Sequence, residues 1–324
     1  MPARQRPINL ALTTVLAAAL VGACSPGGSL GQVPSRAPTP APSVAQGSPD
    51  ATAPTSTTPA SSAGPSATPT TSAPPATDET TVVRAYYFLG GEPGSAGLVP
   101  LLREVPRTPA IGTAAMQALL AGPSEAERAE RVITSAVPEG SRLLGLTIED
   151  GVATVDLSSE FESGGGSMSI LVRLAQVVYT LTQFPTVQSV LIEIDGRPST
   201  VFSSEGLILD GPLTRADYED LLPSIFVDRP AYGAGFGNPA RIVGSANVFE
   251  ASFLITILDA DGAVILETPA MATCGTGCRG TFDVTLPYSV DEAGWGTLRV
   301  WEASAMDGSP QNVRDYPVWL TPAD

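Results

Sequence analysis

The stretch from Ser167 to Arg197 constrains this chain more than any other, because a helix, a break and a hairpin follow one another there with little room between them. Ile170, Leu174, Val177, Val178 and Leu181 recur at the spacing of one helical face, while Arg173, Gln176, Thr180 and Gln183 share the other side. Phe184-Pro185 ends that helix. Val187, Val190, Ile192 and Ile194 then make a mostly apolar strand, and Asp195-Gly196 supplies the turn a hairpin needs before a strand from Pro198 to Phe202.

Folded sequence upstream begins at Thr81. Val83, Ala85, Tyr87 and Leu89 alternate with Val82, Arg84, Tyr86 and Phe88, a strand apolar on much of both faces and hence central in a sheet. After a loop from Gly90 to Gly97 and an extended piece ending at Val105, Thr108 and Pro109 predict a helix start, and Gly122-Pro123 stops that helix. Ser124 with Glu127 has the form of a capping box for a short second helix through Arg131. Leu144, Leu146 and Ile148 run toward Glu149-Asp150-Gly151 and return through Val152 to Leu157, which is a β-hairpin. Thr214 caps a last short helix through Leu222. This order predicts an α+β layer, helices on one face of a mixed or antiparallel sheet.

Pro223 marks a boundary. Beyond it come seven short apolar runs with turn residues between them: 225–227, 242–248, 253–258, 264–266, 282–286, 298–301 and 318–320. Seven strands in about a hundred residues predict an all-β sandwich.

Several of these pieces together resemble known families. Leu119-Leu120-Ala121-Gly122-Pro123, Ala136-Val137-Pro138, the Asp150-to-Ser158 hairpin and the run from Tyr179 to Gly196 resemble the GerMN domain of bacterial sporulation and germination proteins and of actinobacterial lipoproteins, over residues 81–222. Ile242 to Ala246, Val248-Phe249-Glu250-Ala251, Asp261-Gly262 and Asp307-Gly308 resemble the immunoglobulin-like domain that accompanies GerMN domains in germination proteins, over residues 223–324. The resemblance implies a role in the cell envelope and names no reaction.

The N-terminus has its own logic. Arg4 and Arg6 precede an apolar run from Ile8 to Ala23, too short to span a bilayer comfortably, which reads as a secretory signal over residues 1–23. Val21-Gly22-Ala23-Cys24 resembles the lipobox of bacterial lipoproteins, which implies that Cys24 is lipidated and anchors the mature chain on the extracytoplasmic face of the cell membrane. Residues 24–80 are Pro, Ser, Thr, Ala and Gly with almost no charge and cannot bury a core. Extended, such a tether reaches on the order of 170 Å, at about 3.1 Å per residue.

Composition narrows the chemistry. The net charge is −16, which disfavours nucleic acid, anionic lipid and anionic wall polymers as partners. The chain has no His, and all its basic residues are Arg, so His-based triads, His-ligated metals and catalytic or phosphate-binding lysines are absent. Cys274 and Cys278 bracket Gly275-Thr276-Gly277 and predict a disulfide in an exported protein, worth roughly 2 kcal/mol for so short a loop. No metal and no cofactor is expected. The literal dinucleotide-type pattern Gly275-Thr276-Gly277-Cys278-Arg279-Gly280 precedes a strand where a helix is required. Asp259-Ala260-Asp261-Gly262 starts like a calcium loop but reads as a hairpin turn.

Asp156, Glu160, Glu162, Glu193 and Asp195 could supply paired carboxylates for glycoside cleavage, yet turn and solvent-facing roles account for them more simply. The candidate binding residues are the loop Gly164, Gly165, Gly166 and Ser167, where a helix N-terminus offers backbone donors, and Trp301, which should point away from the core beneath Leu298 and Val300. The leading expectation is a non-catalytic lipoprotein presenting two modules to an envelope partner, a neutral glycan or a protein. A carboxylate enzyme acting on peptidoglycan and a self-associating structural subunit are the alternatives.

Overall fold

The computed structural model describes residues 79–323, so the signal segment, Cys24 and nearly all of the tether lie outside the described residues. The first strand, β1 (Thr80–Leu89), pairs antiparallel with β2 (Gly97–Pro106) along its whole length. Helix α1 spans Ile111–Leu120 and α2 spans Glu125–Arg131. The start of α1 falls two residues later than the sequence predicts. Thr108 Oγ1 accepts from Ala110 N, so that hydroxyl closes a local turn instead of capping the helix. The Ser124/Glu127 box on α2 forms in both directions, Glu127 N to Ser124 Oγ at 3.2 Å and Ser124 N to Glu127 Oε2 at 2.7 Å. A two-residue β3 (Ile133–Thr134) adds to β1 at Phe88 and Leu89.

The hairpin β4 (Leu143–Glu149) and β5 (Val152–Leu157) turns on Asp150 and Gly151, both at positive φ. Helix α3 (Ser167–Leu181) then carries the chain to β6 (Ser189–Ile194), which lies parallel to β5, and Asp195-Gly196 turns it into β7 (Arg197–Pro198). The result is a mixed sheet ordered β4-β5-β6-β7, standing beside the antiparallel sheet β2-β1-β3. The single strand expected over Pro198–Phe202 is broken. Val201–Phe202 (β8) leaves β6 and pairs with Leu207–Ile208 (β9), burying the Phe202 ring edge-on against Phe161. A 3-10 helix over Arg215–Leu221 closes this half, with Asp217 accepting from both Thr214 N and Thr214 Oγ1.

The polar stripe of α3 is not a solvent face. Arg173, Gln176 and Thr180 are all buried. Tyr86 pairs with Pro100 across β2, and Pro has no N–H, so the backbone polar groups of Tyr86 and Arg84 point to the other edge of β1. There α3 and the turn that follows it meet them with side chains. Gln183 accepts from Arg84 N at 2.8 Å and donates to Arg84 O at 2.7 Å. Thr180 Oγ1 accepts from Tyr86 N, and Gln176 Nε2 donates to Tyr86 O. Gln176 Oε1 accepts from Ala136 N just past β3, so side-chain ladder and short strand seal one continuous edge. Arg173 completes the stripe by donating to the carbonyls of Ala136, Phe161 and Gly164.

The second half is a sandwich. β10 (Ile225–Arg229), β11 (Gly235–Phe236), β12 (Ala240–Ala246), β13 (Ser252–Leu258), β14 (Val264–Met271), β15 (Gly280–Leu286), β16 (Gly294–Ala303) and β17 (Pro310–Leu320) form sheets ordered β10-β12-β15 and β11-β17-β16-β13-β14. All seven expected strands are present, and Phe253, Ile255, Leu298, Val300 and Tyr316 fill the space between the sheets. Gly244 has a steric role there, because a Cβ at that position would lie 2.0 Å from Phe226 O. Among the described residues both halves belong to one compact unit.

Gln176→Leu keeps the volume and strands two backbone groups, the buried Tyr86 O and the partly buried Ala136 N. It should cost about 2 to 4 kcal/mol in urea unfolding, against less than about 0.5 for the exposed Gln117→Leu. Equal small losses for the two would refute the ladder.

Candidate functional site

The side chains of the two β1 residues held by that ladder cross to the sandwich. Asp228, on β10, accepts from the Tyr86 hydroxyl and lies 3.8 Å from Arg84 Nη2 and 3.7 Å from Arg215 Nη1. The Arg215 guanidinium sits over the ring of Tyr179 at 4.5 Å and over Tyr86 at 5.5 Å. Burial, and then the charge of Asp228, pushes the Tyr86 phenol above its ordinary value, and burial pushes Tyr179 up to about 12. Both phenols therefore stay neutral, and Tyr86 is a fixed donor. Beside this cluster lies a cleft of about 230 Å³ lined by Tyr179, Arg215, Glu219, Phe226, Asp228 and Arg279. Domain junctions are common places for ligand sites, but this acid is already held by two arginines and a tyrosine, which makes the cluster a fastening.

Other ties run across the same junction. Arg314, buried on β17, donates to Ser95 O at 2.5 Å and Leu98 O at 3.0 Å in the first domain. Tyr232 N donates to Pro100 O on the outer edge of β2, and Ser224 N to Gly94 O. Arg279 Nη2 donates to Pro223 O, at the boundary between the domains.

The residues singled out from sequence fall in separate places. Gly164 and Gly165 have positive φ, and the carbonyl of Gly164 is held by Arg173. Gly166 is the N-cap of α3, and Ser167 Oγ donates to Glu205. A carboxylate of the chain itself thus stands at the helix N-terminus, where an anionic ligand would have to sit. Trp301 lies on the second domain and faces outward as expected, but it is half-buried and its indole N–H donates to Thr256 Oγ1 at 3.0 Å. Its polar edge is occupied.

Cys274 and Cys278 are joined, with Cα atoms 5.8 Å apart. Their loop braces a strained turn, since Glu250 and Ala251 both adopt left-handed φ while Thr276 N donates to Val248 O and Thr276 Oγ1 accepts from Glu250 N. Gly275 fits there because a Cβ would lie 2.3 Å from Ala251 N.

Three of the five carboxylates weighed for hydrolysis hold structure. Asp156 accepts from Gly196 N, Glu162 from Ser199 and Ser203, and Glu160 pairs with Arg142. The neighbouring Ser158 hydroxyl, with Arg142 nearby, holds the Glu160 carboxyl below the usual range, opposite to what a general acid needs.

Of the three tryptophans, sequence reasoning preferred Trp301 and passed over an exposed aromatic pair. Trp295 on β16 and Trp319 on β17 are direct cross-strand partners, 50% and 40% exposed, with rings edge to face at 5.4 Å. The signal was present: the parity that turns Trp301 away from Leu298 and Val300 also turns Trp295 outward, and Val318 and Leu320 do the same for Trp319.

Comparison with known proteins agrees with the sequence reading of both halves. Residues 85–200 match the Germane family, described as sporulation and spore germination. Residues 224–309 match Gmad2, the immunoglobulin-like domain of bacterial spore germination. A candidate lipoprotein of Clostridium perfringens is 20% identical, over 44% of this chain and 92% of its own, with a TM-score of 0.31. The first GerMN domain of the Bacillus subtilis sporulation protein GerM is 20% identical over 42% of this chain and 99% of its own, TM-score 0.35. The tandem GerMN domains of the same protein are 14% identical, over 64% of this chain and 62% of their own, TM-score 0.35. No curated protein matches the chain.

The folded state binds the Tyr86 proton more tightly than the unfolded chain, whose phenol titrates near 10.0. That stabilisation is complete below the unfolded value and is lost as pH rises through the folded one. Tyr86→Phe should lower stability by about 1 kcal/mol at pH 7 and flatten part of the decline above pH 10. An unchanged alkaline decline in the variant would show that Tyr86 is not the donor described.

Proposed function

We propose, from the premise that this chain carries a GerMN domain joined to the immunoglobulin-like domain of bacterial spore germination proteins, that it is a non-catalytic envelope protein presenting the two domains as one rigid binding body. The carrying observation is the junction at Asp228, where Arg84, Tyr86 and Arg215 of the first domain fasten the second. A body fixed in this way presents its surfaces in constant relative geometry, which suits recognition of an extended partner. Asp156, Glu160 and Glu162, three of the carboxylates that a hydrolase would use, are engaged in a turn, a hydrogen bond and an ion pair, which supports binding over turnover.

Anchoring at the membrane belongs to the same reading. Among the described residues no helix is long and apolar enough to cross a membrane. The lipobox-like residues ending at Cys24 supply the attachment, and the tether over residues 24–80 lets the body reach envelope material away from the bilayer.

Full-length protein from a detergent extract should be captured saturably by isolated envelope material and release no soluble wall fragments. Released fragments would establish an enzyme, and a mass that rises with concentration in the absence of envelope would establish a self-associating subunit. Cys24→Ala should leave the protein unlipidated and soluble without detergent. If that variant fractionates with membranes as the wild type does, the anchor lies elsewhere.

A further inference from the structure

The outer face of the five-stranded sheet carries all three tryptophans. β16 places Trp295, Thr297, Arg299 and Trp301 on that face, and β17 places Trp319, Pro317 and Asp315 opposite the first three. Arg299 and Asp315 form a two-pronged pair at 2.7 and 2.8 Å, so the charges beside the aromatic pair cancel each other. On its other side β17 pairs with β11, where Gly235 stands opposite Trp319. A Cβ added at Gly235 would meet nothing within 4 Å. Trp319 therefore borders an open, flat shelf with no side chain covering it.

We propose that the Trp295–Trp319 pair and the glycine shelf beside it dock a neutral polysaccharide. This deepens the reading of the protein as a binding body and rests on it. Size and charge select this occupant. Exposures of 50% and 40% leave on the order of 200 Å² of indole surface, taking about 250 Å² for a whole tryptophan. That area matches one or two sugar rings. Their C–H faces stack on indole planes, and the half-exposed Thr297 and the ion pair beside it offer donors and acceptors to hydroxyl groups. The net charge of −16 opposes self-association, anionic lipid and polyanions alike, and leaves uncharged polymers unopposed.

The test uses full-length protein in detergent and two insoluble neutral polymers, chitin and an α-glucan. The wild type should be retained saturably by at least one, with little change between about 50 and 500 mM salt because no long-range charge is involved. Trp295→Ala and Trp319→Ala should each weaken retention about tenfold, while Trp319→Phe, which keeps a ring, should stay within about threefold of wild type. Should an alanine variant lower the melting temperature, Gly235→Gln serves instead, since it fills the shelf without removing a tryptophan and should also weaken retention.

Retention by neither polymer overturns the proposal. So do alanine and glutamine variants that bind as the wild type does. Binding confined to phosphatidylglycerol vesicles, or a dimer that dissociates when Trp319 is removed, assigns the surface to lipid or to a second copy and equally overturns it. Envelope capture that persists without neutral-polymer retention refutes this ligand class and leaves the binding-body reading standing, whereas release of wall fragments refutes that reading itself.

Discussion

The edge of β1 is hydrogen-bonded by a helix. Gln176 and Thr180 of α3, with Gln183 in the turn that follows it, supply to Arg84 and Tyr86 the donors and acceptors that a neighbouring strand would otherwise provide. An open edge here would leave buried backbone groups without partners, each costing about 1 to 3 kcal/mol. A third full-length strand would meet that need but would displace α3 from the core, where its opposite face buries Ile170, Leu174, Val177, Val178 and Leu181. One helix therefore does two jobs with two stripes. The spacing of three and four residues that brings Arg173, Gln176, Thr180 and Gln183 into line is what allows side chains to follow an extended backbone.

The same two β1 residues reach the second domain. With their backbones fixed by α3, Arg84 and Tyr86 project side chains that meet Asp228, and Arg215 closes the group from the 3-10 helix. Arginine is well suited to such a junction. Its planar fork can address two acceptors at once, as Arg314 does with Ser95 O and Leu98 O, and it remains charged when buried. A chain without lysine or histidine has only this cation to use, and it sets the buried Arg173 and Arg314 on backbone carbonyls.

Much of this architecture was legible in the sequence where a local rule decides. Asp150-Gly151 and Asp195-Gly196 turn hairpins because each pair takes positive φ, the Ser124/Glu127 box caps α2, and apolar runs mark seven of the eight strands of the sandwich. Local rules failed where tertiary partners decide. Thr108 bonds its own turn instead of the helix end, and Val201–Phe202 abandons β6 because Phe202 gains a buried contact with Phe161. The polar stripe of α3 could not be recognised as buried without knowing which edge of β1 it faces. Of the surface, parity alone was enough to turn Trp301 outward, but its burial depends on Thr256 of a strand more than forty residues away in the chain.

Ladder and junction together imply that the two domains unfold as one. All three tryptophans lie in the sandwich, and among the described residues the three α-helices lie in the first domain, so two optical signals report on the two halves separately. Urea unfolding followed by tryptophan fluorescence and by helical circular dichroism measures this directly. Coincident transitions with a single midpoint are expected if α3, β1 and Asp228 form one continuous support. Two separated midpoints would show that the junction is a contact between independent domains and would contradict the account.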